Sequence, residues 1–137
     1  MIENHHQAEV LRVTRRLLDA IATADWATYE ELCDSTLTCF EPESMVQLVE
    51  GLAFHEFYFK LGAGSRARNT TISSPHVRIV GDVAIVSYAR IDQKVAADGS
   101  PYSRVFEETR IWQRREGTWK HIHFHRSAPL YEGSMSK

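Results

Sequence analysis

The chain has 137 residues and a mass of 15.7 kDa, the length of one ordinary domain, which leaves no room for a catalytic domain beside a regulatory one. Hydrophobic residues make up 43% and charged residues 25%, so neither a disordered chain nor a membrane span accounts for the composition. Sixteen Lys and Arg against eighteen Asp and Glu give a net charge of −2, which supplies no positive field for a nucleic-acid backbone.

The opening Met-Ile-Glu-Asn-His-His-Gln lacks the basic start and apolar run of a secretory signal. No stretch approaches the ~20 apolar residues of a membrane span, so no membrane partner and a cytoplasmic location are expected. From Ala8 to Ile21, Val10, Leu11, Val13, Leu17, Leu18 and Ile21 recur at helical spacing and predict a long amphipathic helix. Asp25, as N-cap, predicts a second helix over about Trp26 to Leu32. Thr36 to Phe40 reads as a short strand that Glu41-Pro42-Glu43 stops, the two glutamates belonging to a turn ahead of a helix. Cys33 and Cys39 lack a C-x-x-C spacing and are expected as reduced thiols. Phe54, Phe57, Tyr58 and Leu61 predict a helix over Leu52 to Leu61 with a buried aromatic face, ended by Gly62 and Gly64. Beyond it the period becomes two. Turns at Gly81-Asp82, Asp98-Gly99-Ser100-Pro101 and Glu116-Gly117 divide four strands, about Asn69 to Val80, Val83 to Ala96, Tyr102 to Arg115 and Thr118 to Ala128. The expected fold is α+β, with N-terminal helices on a curved antiparallel sheet. One domain is expected over 1–137, with a core at about 8–128 and a tail at 129–137.

Several stretches stand out together: Leu37-Thr38-Cys39-Phe40-Glu41-Pro42-Glu43; Leu48-Val49-Glu50-Gly51-Leu52 with Phe54-His55 and Phe57-Tyr58-Phe59; Glu107-Glu108-Thr109-Arg110 with Trp112; and His123-Phe124-His125-Arg126-Ser127. In register, they resemble the association (hub) domain of calcium/calmodulin-dependent protein kinase type II, over about Glu9 to Ser127. The resemblance implies a cone-shaped α+β fold similar to nuclear transport factor and ketosteroid isomerase, and a role in assembling rings of subunits. No kinase, calmodulin-binding helix or linker can be fitted into this sequence, so kinase activity is not expected.

Alternation along strands puts Tyr88 and Arg90 on one face, as it does Phe106, Glu108, Arg110 and Trp112, and likewise Ile122, Phe124 and Arg126. If that face is the helix-covered one, Arg90, Arg110 and Arg126 converge in a partly apolar pocket and require a carboxylate ligand or an acidic side chain, Glu108 being the nearest. A buried Arg and Glu network that only holds the fold together is the alternative. The resemblance implies that these arginines line a pocket for small carboxylates or peptide acids, with His55 at the matching histidine on the rim and Tyr88 and Phe124 as walls. Ala63 falls at about the place of the hub pocket's tryptophan.

His121, His123 and His125 alternate on the face opposite Arg126 and read as histidines packed in a subunit interface; at most one adjacent pair could share a metal ion. No metal or cofactor is expected. Glu108 and Asp92 lie beside arginines, which favours their ionised forms and suits neither for taking a proton from carbon. The expected function is a homo-oligomerisation hub, its partner itself, as a homodimer and then a ring, with a possible small carboxylate ligand. The alternative is an isomerase-, dehydratase- or cyclase-like enzyme or binding protein of the same superfamily. An outward sheet face bearing Val83, Ile85, Ile111 and Trp119 is expected to drive assembly.

Overall fold

The computed structural model describes residues 2–129; the expected tail lies, apart from its first residue, outside them. Helices α1 (Ile2–Thr23) and α2 (Trp26–Leu32) lead into strand β1 (Cys33–Phe40). A 3-10 turn (Pro42–Ser44), strand β2 (Val49–Glu50) and helix α3 (Ala53–Lys60) follow. The long strands are β3 (Arg68–Val80), β4 (Val83–Val95), β5 (Pro101–Arg115) and β6 (Thr118–Ser127). The strand order is β2-β1-β6-β5-β4-β3. The α+β expectation holds, and the sheet is mixed: β3 to β6 form the expected antiparallel meander, while β1 lies parallel to β6. Among the described residues no helix is long and apolar enough to cross a membrane.

Local chemistry explains the elements. Asp25 caps α2, accepting from the Thr28 backbone N–H at 3.2 Å and from the Thr28 hydroxyl at 2.7 Å. Helix α1 lies against β3 and β4 and buries Val10, Leu17 and Leu18 onto the sheet. Trp112, Leu37 and Val86 meet them in the core, each fully buried. Cys33 and Cys39 are free and buried, and burial pushes both thiols up to about 12, so they behave as small apolar side chains.

Three expectations about faces are corrected. In α3 the inward residues are His55 and Phe59, whose ring packs 4.7 Å from Tyr29 and 5.3 Å from Trp26, while Phe57, Tyr58 and Leu61 are exposed. A histidine at the centre of the buried face turns the helix away from its most hydrophobic side. In β6 a bulge opposite Ile111 and Trp112 adds one residue, since Ile111 pairs with His123 and Trp112 with His121. That residue reverses the alternation: His121 points into the core with Phe124, and the row of three outward histidines does not exist. For the same reason Trp119 is buried, its indole N–H directed at Glu9, and is not part of the outward face.

Candidate functional site

Sheet register assembles the site. Across β4, β5 and β6, Tyr88 lies opposite Glu108 and Glu108 opposite Arg126; the next row joins Val86, Arg110 and Phe124, and Arg90 faces Phe106. Arg110 is 1% exposed and Glu108 2%. The Arg110 Nε donates to the Tyr88 hydroxyl at 2.8 Å and its Nη2 to Glu108 Oε1 at 2.9 Å, while the Tyr88 hydroxyl donates to the same oxygen at 2.5 Å. Arg90 Nε lies 3.2 Å from Glu108 Oε2 and 3.7 Å from Asp92 Oδ2. Burial opposes the charge on Glu108, but Arg110 and then Arg90 outweigh it and hold the carboxyl below its ordinary value. The guanidiniums also rest on rings: Arg110 lies 4.5 Å from the centre of Phe124, and Arg90 and Arg126 lie 5.0 and 4.8 Å from that of Phe106.

The third arginine is held from the opposite side. Arg126 Nη2 donates to Glu41 at 3.1 Å and to Glu43. The turn carrying both glutamates is closed by the Ser44 hydroxyl, which donates to the Glu41 carbonyl at 2.7 Å. Thus Glu41-Pro42-Glu43 is a turn, as expected, and also the source of two carboxylates that the sequence reading left unused. His55 lies with Nδ1 3.5 Å from Glu41 Oε2 and Nε2 3.7 Å from the Cys39 thiol. Burial, reinforced by Arg110 and Arg126, lowers His55 to about 4, so it is neutral at pH 7. Burial pushes Glu41 upward, against the pull of Arg126.

A cavity of ≈ 170 Å³ is lined by Arg90, Arg110, Arg126, His55 and Phe124, together with Tyr29 and the two glutamates of the turn. Tyr88 and Glu108 do not line it; they stand behind Arg110 and fix its orientation. Each guanidinium therefore has a carboxylate partner, whereas the sequence pointed to Glu108 alone. Compensation is incomplete: Arg90 Nε and Glu108 Oε2 meet as an ion pair without hydrogen-bond geometry, and Arg110 Nη1 is buried with no hydrogen-bond partner.

The histidine pairings expected for a metal change with the bulge. His121 is buried against Trp112 and Phe124 with Nδ1 3.4 Å from the Cys33 thiol, whereas His123 and His125 face outward, so no metal can bridge His121 and His123. Among the described residues one group has metal-ligand proximity, Cys39, Glu41 and His55, with ligand atoms within 4.8 Å of one another.

Residues 6–129 match the family model of the calcium/calmodulin dependent protein kinase II association domain. The chain is 43% identical, over 123 residues, to the calcium/calmodulin-dependent protein kinase type II alpha chain of Drosophila melanogaster, covering 88% of this chain and 23% of that protein. It thus spans about a quarter of the length of the curated relatives it matches. Among solved structures, the association domain of C. elegans CaMKII superposes with a TM-score of 0.88 at 41% identity, covering 92% of this chain and 98% of that one. The S. rosetta CaMKII hub gives 0.78 at 43% identity, covering 88% and 94%. An NTF2-like superfamily protein from Salmonella enterica shares the fold, at 19% identity and a TM-score of 0.74, covering 92% of each chain.

Proposed function

The chain belongs to the calcium/calmodulin-dependent protein kinase II association-domain family, and from that membership we propose that it is a homo-oligomerisation hub whose protomers dimerise and whose dimers close into a ring. The observation that carries this reading is the apolar surface that one protomer leaves in water. Met45 is 77% exposed, Val46 90% and Leu61 70%. Met45 and Val46 also hold left-handed backbone angles, φ 50° and 63°, which cost a non-glycine residue about 1–3 kcal/mol each. A strained loop that offers apolar side chains outward gains its return from a surface that covers it. Together with Phe40 and His125, these two residues line a shallow groove. Light scattering at micromolar protomer is expected to give a mass of several protomers that are multiples of a dimer. A monomer overturns the reading; a dimer and nothing larger removes the ring and favours the enzyme-like alternative.

The same reading gives the arginine-lined cavity the role of taking a small carboxylate or an acidic peptide group. The unpartnered Arg110 Nη1 supports it, because a ligand oxygen there would satisfy a buried donor. Calorimetry with small carboxylates and their amides is expected to show binding of the acids alone. Arg110→Lys, which keeps the charge but loses the planar fork, is expected to weaken binding about tenfold or more. An amide that binds as well as its acid makes the arginine network purely structural.

A further inference from the structure

Beside the arginine cavity, and sharing Arg90 and Arg126 with it, lies a second concavity of ≈ 280 Å³ at the open end of the sheet. Sheet pairing builds its walls: Arg68 lies opposite Lys94 between β3 and β4, and Arg104 opposite Asp92 between β4 and β5. Alternation places Lys94 and Asp92 on the same face as the buried Arg90. The five cations of this basin, these three with Arg90 and Arg126, meet only two carboxylates, Glu43 and Asp92. Both acids are already engaged at the inner rim, Glu43 by Arg126 and Asp92 by Arg90 and by the Thr70 hydroxyl at 3.0 Å.

Arg68, Lys94 and Arg104 thus have no acidic partner among the described residues. Arg68 instead donates to the backbone carbonyls of Ala22 and Ala63, at 3.0 and 3.3 Å. Burial lowers Lys94 from its ordinary value against the pull of Asp92, and the neighbouring Arg68, Arg104 and Arg90 add smaller contributions in the same direction as burial. In the inner cavity three guanidiniums face Glu41 and Glu43, with Glu108 behind them. The surplus positive charge of the concave face therefore sits in the outer basin.

We propose that the basin is a binding site for a small dicarboxylate, one carboxylate held by Arg68, Lys94 and Arg104 and the other reaching over the shared Arg90 and Arg126 toward the inner cavity. The placement of the second carboxylate rests on the carboxylate reading of that cavity; the first does not. Guanidinium forks with one ammonium match planar carboxylates. Guanidinium forks also pair with phosphate, so inorganic phosphate is the competing ligand. The volume suits a compact molecule and excludes a polymer.

Calorimetry with butanedioate, pentanedioate, butanoate and inorganic phosphate, on the full chain and on Lys94→Gln and Arg104→Gln, tests the proposal. The parent is expected to bind one of the dicarboxylates about tenfold tighter than butanoate, with the preference shrinking as salt rises. Both variants should erase that preference and leave butanoate affinity unchanged. The proposal is overturned if the dicarboxylates bind no tighter than butanoate, if the preference survives both substitutions, or if phosphate binds tighter than either. Dicarboxylate binding that depends on Lys94 and Arg104, with no butanoate binding at all, keeps the basin and removes the inner carboxylate site. Binding of no acid removes both.

Discussion

Replacing Glu108 with alanine is expected to lower the unfolding free energy by about 3–5 kcal/mol, the cost of removing one side of a buried ion pair. Glu108 is contacted by Arg110 at 2.9 Å and Arg90 at 3.2 Å, and its side chain is fully buried, so the substitution takes the close carboxylate from both guanidiniums, Arg110 being only 1% exposed. Asp92 remains near Arg90, but at 3.7 Å it contributes weakly, and nothing replaces the carboxylate on Arg110. Tyr88→Phe gives a smaller loss, about 1–2 kcal/mol, because it removes one donor to Glu108 and one acceptor from Arg110 while the charges stay paired. Urea unfolding at a single protomer concentration reads both values without confusing them with changes in assembly. A Glu108→Ala protein within about 1 kcal/mol of the parent would mean that the network relaxes around the gap and that Arg110 is not dependent on Glu108.

That network shows where the sequence was legible. Alternation along β4, β5 and β6 was enough to place Arg90, Arg110 and Arg126 together, because a strand's period is fixed by backbone geometry and the turns at Gly81, Gly99 and Gly117 set the strand limits. It was not enough for Glu41 and Glu43, which come from a turn eighty-odd positions away and reach Arg126 only because β1 lies parallel to β6. Parallel pairing between distant segments leaves no mark in local periodicity. The β6 bulge did leave a mark. Trp119 and His121 are two apart and Phe124 follows His121 by three, so no single alternation buries all three large rings, and one register break does. In α3 the misplaced face has a different cause: the residue at its buried centre is His55, whose inward orientation is decided by Glu41, Tyr29 and Phe124 rather than by its own hydrophobicity. The outer basin was illegible for a third reason. Arg68, Lys94 and Arg104 look like ordinary exposed cations in the chain, and only cross-strand pairing concentrates them.

Acidification is expected to destabilise the fold in two windows, the first belonging to buried histidines. His55 sits at about 4 and His121 well below 6.5, both because burial penalises the charged ring, with Arg110 adding to each. The groups around His55 are Glu41, Cys39, Tyr29, Arg110 and Arg126, with Glu43 pulling weakly in the opposite direction. Those around His121 are Cys33, Trp112 and Phe124, with Arg110, His55 and His123 opposing its charge at longer range. In the unfolded chain both titrate near 6.5, so as pH falls below that value the unfolded state takes up protons that the folded state refuses, and stability drops. For His55 the loss grows until about pH 4 and amounts to about 3 kcal/mol; His121 adds to it with the same sign. Glu41, raised by burial, has the opposite sign and offsets part of the loss. The second window opens below the ordinary carboxylate value, as Glu108 and Glu43, both held low against burial by arginines, are forced to accept protons. Of the histidines expected from the sequence on the outward face, His121 has turned inward, while His123, lowered by burial and then by His125, adds to the first window with the same sign. Urea midpoints measured every half unit from pH 8 to pH 3.5, at constant protomer concentration, should fall from about pH 6.5 downward. In His55→Gln the slope between pH 6.5 and 4 should flatten while the lower window persists, whatever that substitution costs at neutral pH. A parent midpoint that stays level from pH 7 to 4.5 would show that His55 and His121 gain protons in the fold as readily as in the unfolded chain, and that the cavity opens to water on the side of His55.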